Sequence, residues 1–123
     1  MDKTRRKVLQ VVDDCRDVII GFLQKMIGFR SVTGEEKDSQ VWLGRELERM
    51  GFEVDMFEPD DEKLKQFGFA FIAGHKYEGR PNVVGRKRGK GGGRSIILNG
   101  HMDVVPPGSL EKWLHNPWSG KIG

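Results

Sequence analysis

The apolar run Ile96-Ile97-Leu98 opens into Asn99-Gly100-His101-Met102-Asp103 and is closed by Pro106-Pro107. An apolar segment of this length, bounded by turn residues, reads as a strand over 95–100. It predicts His101 at the strand's carboxyl end, the edge where open α/β sheets bind ligands. In extended backbone, side chains two apart point the same way, so His101 and Asp103 share a face. A carboxylate beside an imidazole accepts its second N–H, which fixes the tautomer and raises the basicity of the nitrogen a metal would take. Spacing alone leaves this pair open between a metal site and a structural histidine. His75 and His115 each sit in a loop-like segment and read as surface residues.

The elements before this strand follow from periodicity. Val8, Val12, Cys15, Ile19, Phe22 and Met26 recur in steps of three and four, predicting one helix over 4–28. Asp13 and Asp14 offer an alternative start for a shorter one. Thr33-Gly34-Glu35-Glu36 reads as a capping box for a second helix over about 35–50, carrying Trp42, Leu43, Leu47 and Met50 and ending at Gly51. Phe52, Val54 and Met56 alternate with acidic residues, the period of a half-buried strand. Asp60–Gln66 suggests a helical turn, 67–73 a strand or loop, and Val83-Val84 a further strand. The fold class is α/β, with helices packed on a mixed, partly parallel sheet and a hairpin near 82–100.

The single cysteine, Cys15, excludes an internal disulfide framework and a Cys-based zinc finger. It reads as a small packed residue. No apolar run approaches the roughly 20 residues that span a bilayer, and the charged amino terminus lacks the apolar core of a secretory signal. A cytoplasmic location is expected. The 21 Lys and Arg against 18 Asp and Glu leave a net charge of +3, too small to mark a nucleic-acid binder. The segment Gly85-Arg-Lys-Arg-Gly-Lys-Gly-Gly-Gly-Arg94 invites comparison with phosphate loops and fails it. Three residues, not four, separate its Gly from Gly-Lys, and Gly91 follows Lys90 where Ser or Thr belongs. It reads as a flexible turn whose charges protect a sheet edge.

The stretch Leu98-Asn-Gly-His-Met-Asp-Val-Val-Pro-Pro-Gly108, with Trp113-Leu-His-Asn-Pro-Trp-Ser-Gly120 after it, resembles the zinc-dependent aminoacylase and carboxypeptidase-like metallopeptidase family. That family includes acetylornithine deacetylase and succinyl-diaminopimelate desuccinylase. Arg30-Ser-Val-Thr-Gly-Glu-Glu36 resembles its amino-terminal segment, and Arg80-Pro-Asn-Val-Val84 the strand before its metal strand, in the same order.

The resemblance implies hydrolysis of an amide bond in an N-acyl amino acid or small peptide. It implies two zinc ions, for which cobalt can substitute, bridged by a carboxylate and a water. His101 would be a metal ligand and Asp103 the carboxylate that orients it. The bridging Asp, the Glu base, the other ligands and a lid domain that often mediates dimerisation have no counterpart in 1–123. The chain is thus expected to be the amino-terminal portion of one catalytic domain, inactive alone. Two rivals stand beside this reading: a binding module using the basic loop 85–94, and a non-catalytic remnant.

Overall fold

The computed structural model describes residues 2–68 and 76–122. Most of the expected segment 67–73, and His75, lie outside them. The described residues form an α/β arrangement of four helices and a two-stranded antiparallel sheet. They divide into two compact units, one of residues 1–30 with 107–123 and one of 31–106.

In the first unit the expected helix over 4–28 is two helices, α1 (Lys3–Asp14) and α2 (Arg16–Ile27). The break falls at Cys15, whose φ of −89° and ψ of 1° leave the helical region. It does not fall at Gly21, the residue with the weakest helix propensity. Cys15 is exposed and not packed, and among the described residues Val8, Val12 and Ile19 on the same stripe are likewise at least half exposed. Near the carboxyl end of α2 the Gln24 side chain donates to the Gly120 carbonyl at 2.8 Å. The backbone of Gly120 comes so close to Gln24 that a Cβ would meet it at 3.0 Å. A single 3₁₀ turn (Leu110–Lys112) follows the prolines, and His115 is exposed, as expected.

The second unit holds α3 (Lys37–Arg49), β1 (Glu53–Phe57), α4 (Asp61–Lys65) and β2 (Asn82–Arg86). Helix α3 ends as the sequence requires, with Gly51 at φ 78°. Its carbonyl end gains a cation that the sequence did not announce: Lys87 Nζ donates to Met50 O at 2.9 Å and lies over the Phe52 ring. Asp60 caps α4 by accepting from the amides of Glu62 and Lys63. Strands β1 and β2 pair from Glu53 opposite Arg86 to Phe57 opposite Asn82, and Arg86 closes the end with a fork onto the Glu53 carboxylate. The helix crosses this ribbon at two glycines. A Cβ on Gly44 would lie 2.7 Å from the end of Met56, and one on Gly85 3.1 Å from Leu47.

Two expectations are corrected. Residues 95–100 form no strand, and the hairpin over 82–100 is absent, because β2 takes β1 as its partner. A strand exists only as part of a ladder that satisfies its amides. Ile96, Ile97 and Leu98 stand 82%, 89% and 88% exposed. The capping box is the second: α3 begins at Lys37 with no side-chain cap, its Thr33 and Glu36 having stronger partners described below.

Among the described residues no hydrophobic side chain is buried. The accessible surface is 10586 Å². A compact chain of this mass exposes roughly 6,700 Å², and two separately compact units of the same total mass roughly 8,000 Å². Among the described residues no helix is long and apolar enough to cross a membrane.

Candidate functional site

The second unit brings two segments far apart in sequence into a short parallel pairing. Val32 and Val104 form a parallel bridge. Val104 N donates to Ser31 O at 2.9 Å, and Thr33 N to Val104 O at 3.2 Å. Ser31 Oγ adds a bond to the carbonyl of Met102 at 2.9 Å. This seam holds 101–103 in place of the expected continuous strand.

His101 and Asp103 meet, as the i, i+2 argument requires. Nδ1 of His101 lies 3.0 Å from Asp103 Oδ1 and 2.9 Å from Asp103 O. Both neighbours are acceptors, so in the neutral imidazole this geometry favours the proton on Nδ1 and leaves Nε2 with its lone pair. The imidazole is 84% exposed. Thr33 Oγ1 donates to the other oxygen, Oδ2, at 2.7 Å. This Thr33 hydrogen bond, opposed by slight burial and joined by the bond from His101, holds the Asp103 carboxyl below its ordinary pKa. The group is a carboxylate at neutral pH.

Beside this chain lies an ion pair. Arg80 forks onto Glu36, Nη2 to Oε1 at 2.7 Å and Nε to Oε2 at 3.1 Å, while Gly34 N donates to Oε1 at 2.7 Å. Burial acts to raise the Glu36 pKa, but the Arg80 fork and the Gly34 amide outweigh it and hold the carboxyl below its usual value. Here is why the capping box did not form. A carboxylate acceptor took the Thr33 hydroxyl, and a guanidinium took most of Glu36, both stronger than a neutral amide contact. Sequence reasoning missed both partnerships, although it had singled out 30–36 and 80–84 as segments.

A cleft of about 180 Å³ is lined by residues that include Glu36, Tyr77, Arg80, Gly100, His101 and Asp103. The donor set on its wall is small. His101 Nε2, unprotonated and held by a carboxylate on its far nitrogen, has the chemistry of one metal ligand. Among the described residues no group of three or more His, Cys, Asp or Glu side chains could hold an ion. The residues fit one corner of a metal site. The basic loop is partly committed elsewhere, since Arg86 binds Glu53 and Lys87 binds Met50.

No protein-family model matches the chain. Individual proteins do. It is 29% identical over 101 residues to a succinyl-diaminopimelate desuccinylase of Leptothrix cholodnii, covering 80% of the chain and 22% of that protein. It is 34% identical over 96 residues to the enzyme of the same name from Paracoccus denitrificans, covering 78% and 20%. It is 24% identical over 123 residues to an N-formyl-4-amino-5-aminomethyl-2-methylpyrimidine deformylase of Bacillus subtilis, covering 96% and 25%. The chain thus spans between a fifth and a quarter of the length of the relatives it matches. Two differently named hydrolases match most of this chain's length, and over a fifth to a quarter of their own length the chain is similar to members of the aminoacylase and carboxypeptidase-like peptidase family.

Proposed function

We propose that this chain serves the hydrolysis of an amide bond in an N-acyl amino acid or small peptide, with His101 as a ligand of a catalytic zinc and Asp103 as the carboxylate that orients it. The observation that carries the reading is the approach of His101 Nδ1 to the Asp103 carboxylate at 3.0 Å beside a cleft, which turns Nε2 away from that acceptor. The names of the relatives, desuccinylase and deformylase, supply the acyl-transfer class.

A metal bound there, zinc or cobalt in its place, supplies Lewis acidity toward the scissile carbonyl and a water of lowered pKa. The chain's own part is narrower. Asp103 keeps the imidazole in one tautomer and one orientation. Arg80 and Glu36, paired with each other, line the same cleft. The other ligands, the general base, a lid domain and the dimer it would build belong to the part of the family's pattern that the described residues do not match. The setting is cytoplasmic, and the substrate is a small molecule.

The test uses the 123-residue chain and a chimera in which it replaces the matching segment of the Paracoccus desuccinylase. Zinc content and N-acyl amino acid hydrolysis are measured in both. The chain alone should turn over nothing above background with added zinc or cobalt, because a single imidazole leaves an ion mostly hydrated. In the chimera, His101→Ala should remove metal and activity together, and Asp103→Asn should cost about 10–100-fold in affinity or rate. Chelator-sensitive turnover by the chain alone, or full metal occupancy in the His101→Ala chimera, would overturn the assignment.

A further inference from the structure

The Asp103 carboxylate has two oxygens, and rotation about its last bond is soft. Its orientation toward His101 therefore needs a cause, and an imidazole that is 84% exposed has little packing to supply one. The cause on the far side of the carboxylate is Thr33, whose hydroxyl reaches Oδ2 at 2.7 Å while Oδ1 faces His101 at 3.0 Å. Thr33 is itself fixed. Its amide bonds Val104 O, and its neighbour Ser31 accepts the Val104 amide and bonds Met102 O. The turn that follows is set by Gly34 at φ 100°, with its amide on Glu36, which Arg80 holds. The donor and the acceptor of the Thr33–Asp103 bond thus sit on the two sides of one seam.

We propose that Thr33 is a positioning residue for His101: its hydroxyl turns the Asp103 carboxylate so that Oδ1 holds the Nδ1 proton, and so fixes Nε2 as the unprotonated nitrogen. This rests on the reading of His101 as a ligand, since only then does the bare nitrogen matter. Without the hydroxyl the carboxylate rotates toward solvent. Nδ1 then keeps the Asp103 carbonyl at 2.9 Å but loses the charged acceptor, and part of the exposed ring's population shifts toward the Nε2–H tautomer that imidazole side chains favour in water. A valine at this position keeps the branched shape and the backbone pairing but has no proton to give.

The experiment is a long-range ¹⁵N–¹H correlation spectrum of the imidazoles in the intact ¹⁵N-labelled protein at pH 8, with His101→Gln to assign the resonances. The wild type should show the Nδ1–H tautomer. Thr33→Ser should retain it, and Thr33→Val should move the population toward Nε2–H while the Val104 amide keeps its position. An unchanged tautomer ratio in Thr33→Val, or an Nε2–H tautomer in the wild type, would overturn the proposal. Loss of the Val104 amide signal in both Thr33→Val and Thr33→Ala would make the hydroxyl a folding contact and overturn it equally. The spectrum needs no metal. A protein with the expected tautomers that takes no zinc in the chimera would remove the ligand reading and leave the role of Thr33 standing.

Discussion

Replacing Arg80 by Met keeps the apolar stem and removes the fork. The Glu36 side chain is 8% exposed, so its carboxylate would be left with the Gly34 amide as its remaining strong donor. Breaking a fully buried pair costs about 3–5 kcal/mol, and an exposed pair about 0–1. Arg80 is 21% exposed, so water re-enters on one side, and an intermediate loss of about 2 kcal/mol is expected. The pair braces the turn that carries Thr33, so the loss should appear in local opening of the seam. Amide exchange at Thr33 and Val104 reads that opening directly. A loss of 2 kcal/mol is about 30-fold faster exchange, at roughly 1.4 kcal/mol per decade. The pH dependence has a fixed sign. The folded Glu36 pKa is depressed, so its contribution is fully present above the unfolded value of about 4.3 and is lost as pH falls through the folded one. Protection in the wild type should fall in that acid window, and Arg80→Met should flatten the fall. An exchange rate that rises less than about threefold, or an acid profile identical in both proteins, would refute the reasoning.

Two glycines should respond oppositely to alanine. Gly51→Ala, forced to φ 78°, should lose about 1–2 kcal/mol in urea denaturation. Gly21→Ala, inside α2 with open space where a Cβ would point, should gain about 0.5–1 kcal/mol of helix stability by circular dichroism. Lys87→Met should cost about 0.5–1 kcal/mol at low salt and less at high salt, since it removes the cation at the end of α3. The purified chain should self-associate in sedimentation velocity, because Ile96–Leu98 and the α1 stripe present uncovered apolar surface; a monodisperse monomer with a sharp melt would contradict this.

What the sequence disclosed was local. Helix α3 with its glycine stop, β1, the helical turn after Asp60 and β2 follow from periodicity and turn chemistry within about a dozen residues. The His101–Asp103 contact follows from a two-residue spacing. What it hid was pairing at a distance. The run 95–100 has the composition of a strand, but composition does not state which ladder receives it, and β2 turned to β1. Thr33 and Glu36 matched a capping box letter for letter, yet their side chains went to Asp103 and Arg80, 70 and 44 residues away. The single helix over 4–28 failed at Cys15 for a reason the propensities do not supply.

The seam between 31–33 and 102–104 also has a kinetic meaning. Bringing ends about 70 residues apart together costs roughly 4 kcal/mol of chain entropy, against two backbone hydrogen bonds and the Ser31 and Thr33 side-chain bonds. Helix α3 and the β1–β2 ribbon join residues closer in the chain and can form first, so closure of the seam comes late. The Thr33–Asp103 bond, to which we assign the positioning of His101, therefore forms with one of the last events of folding. Whatever binds the bare nitrogen draws that closure to completion, and the rate of its capture reports how often the chain shuts by itself.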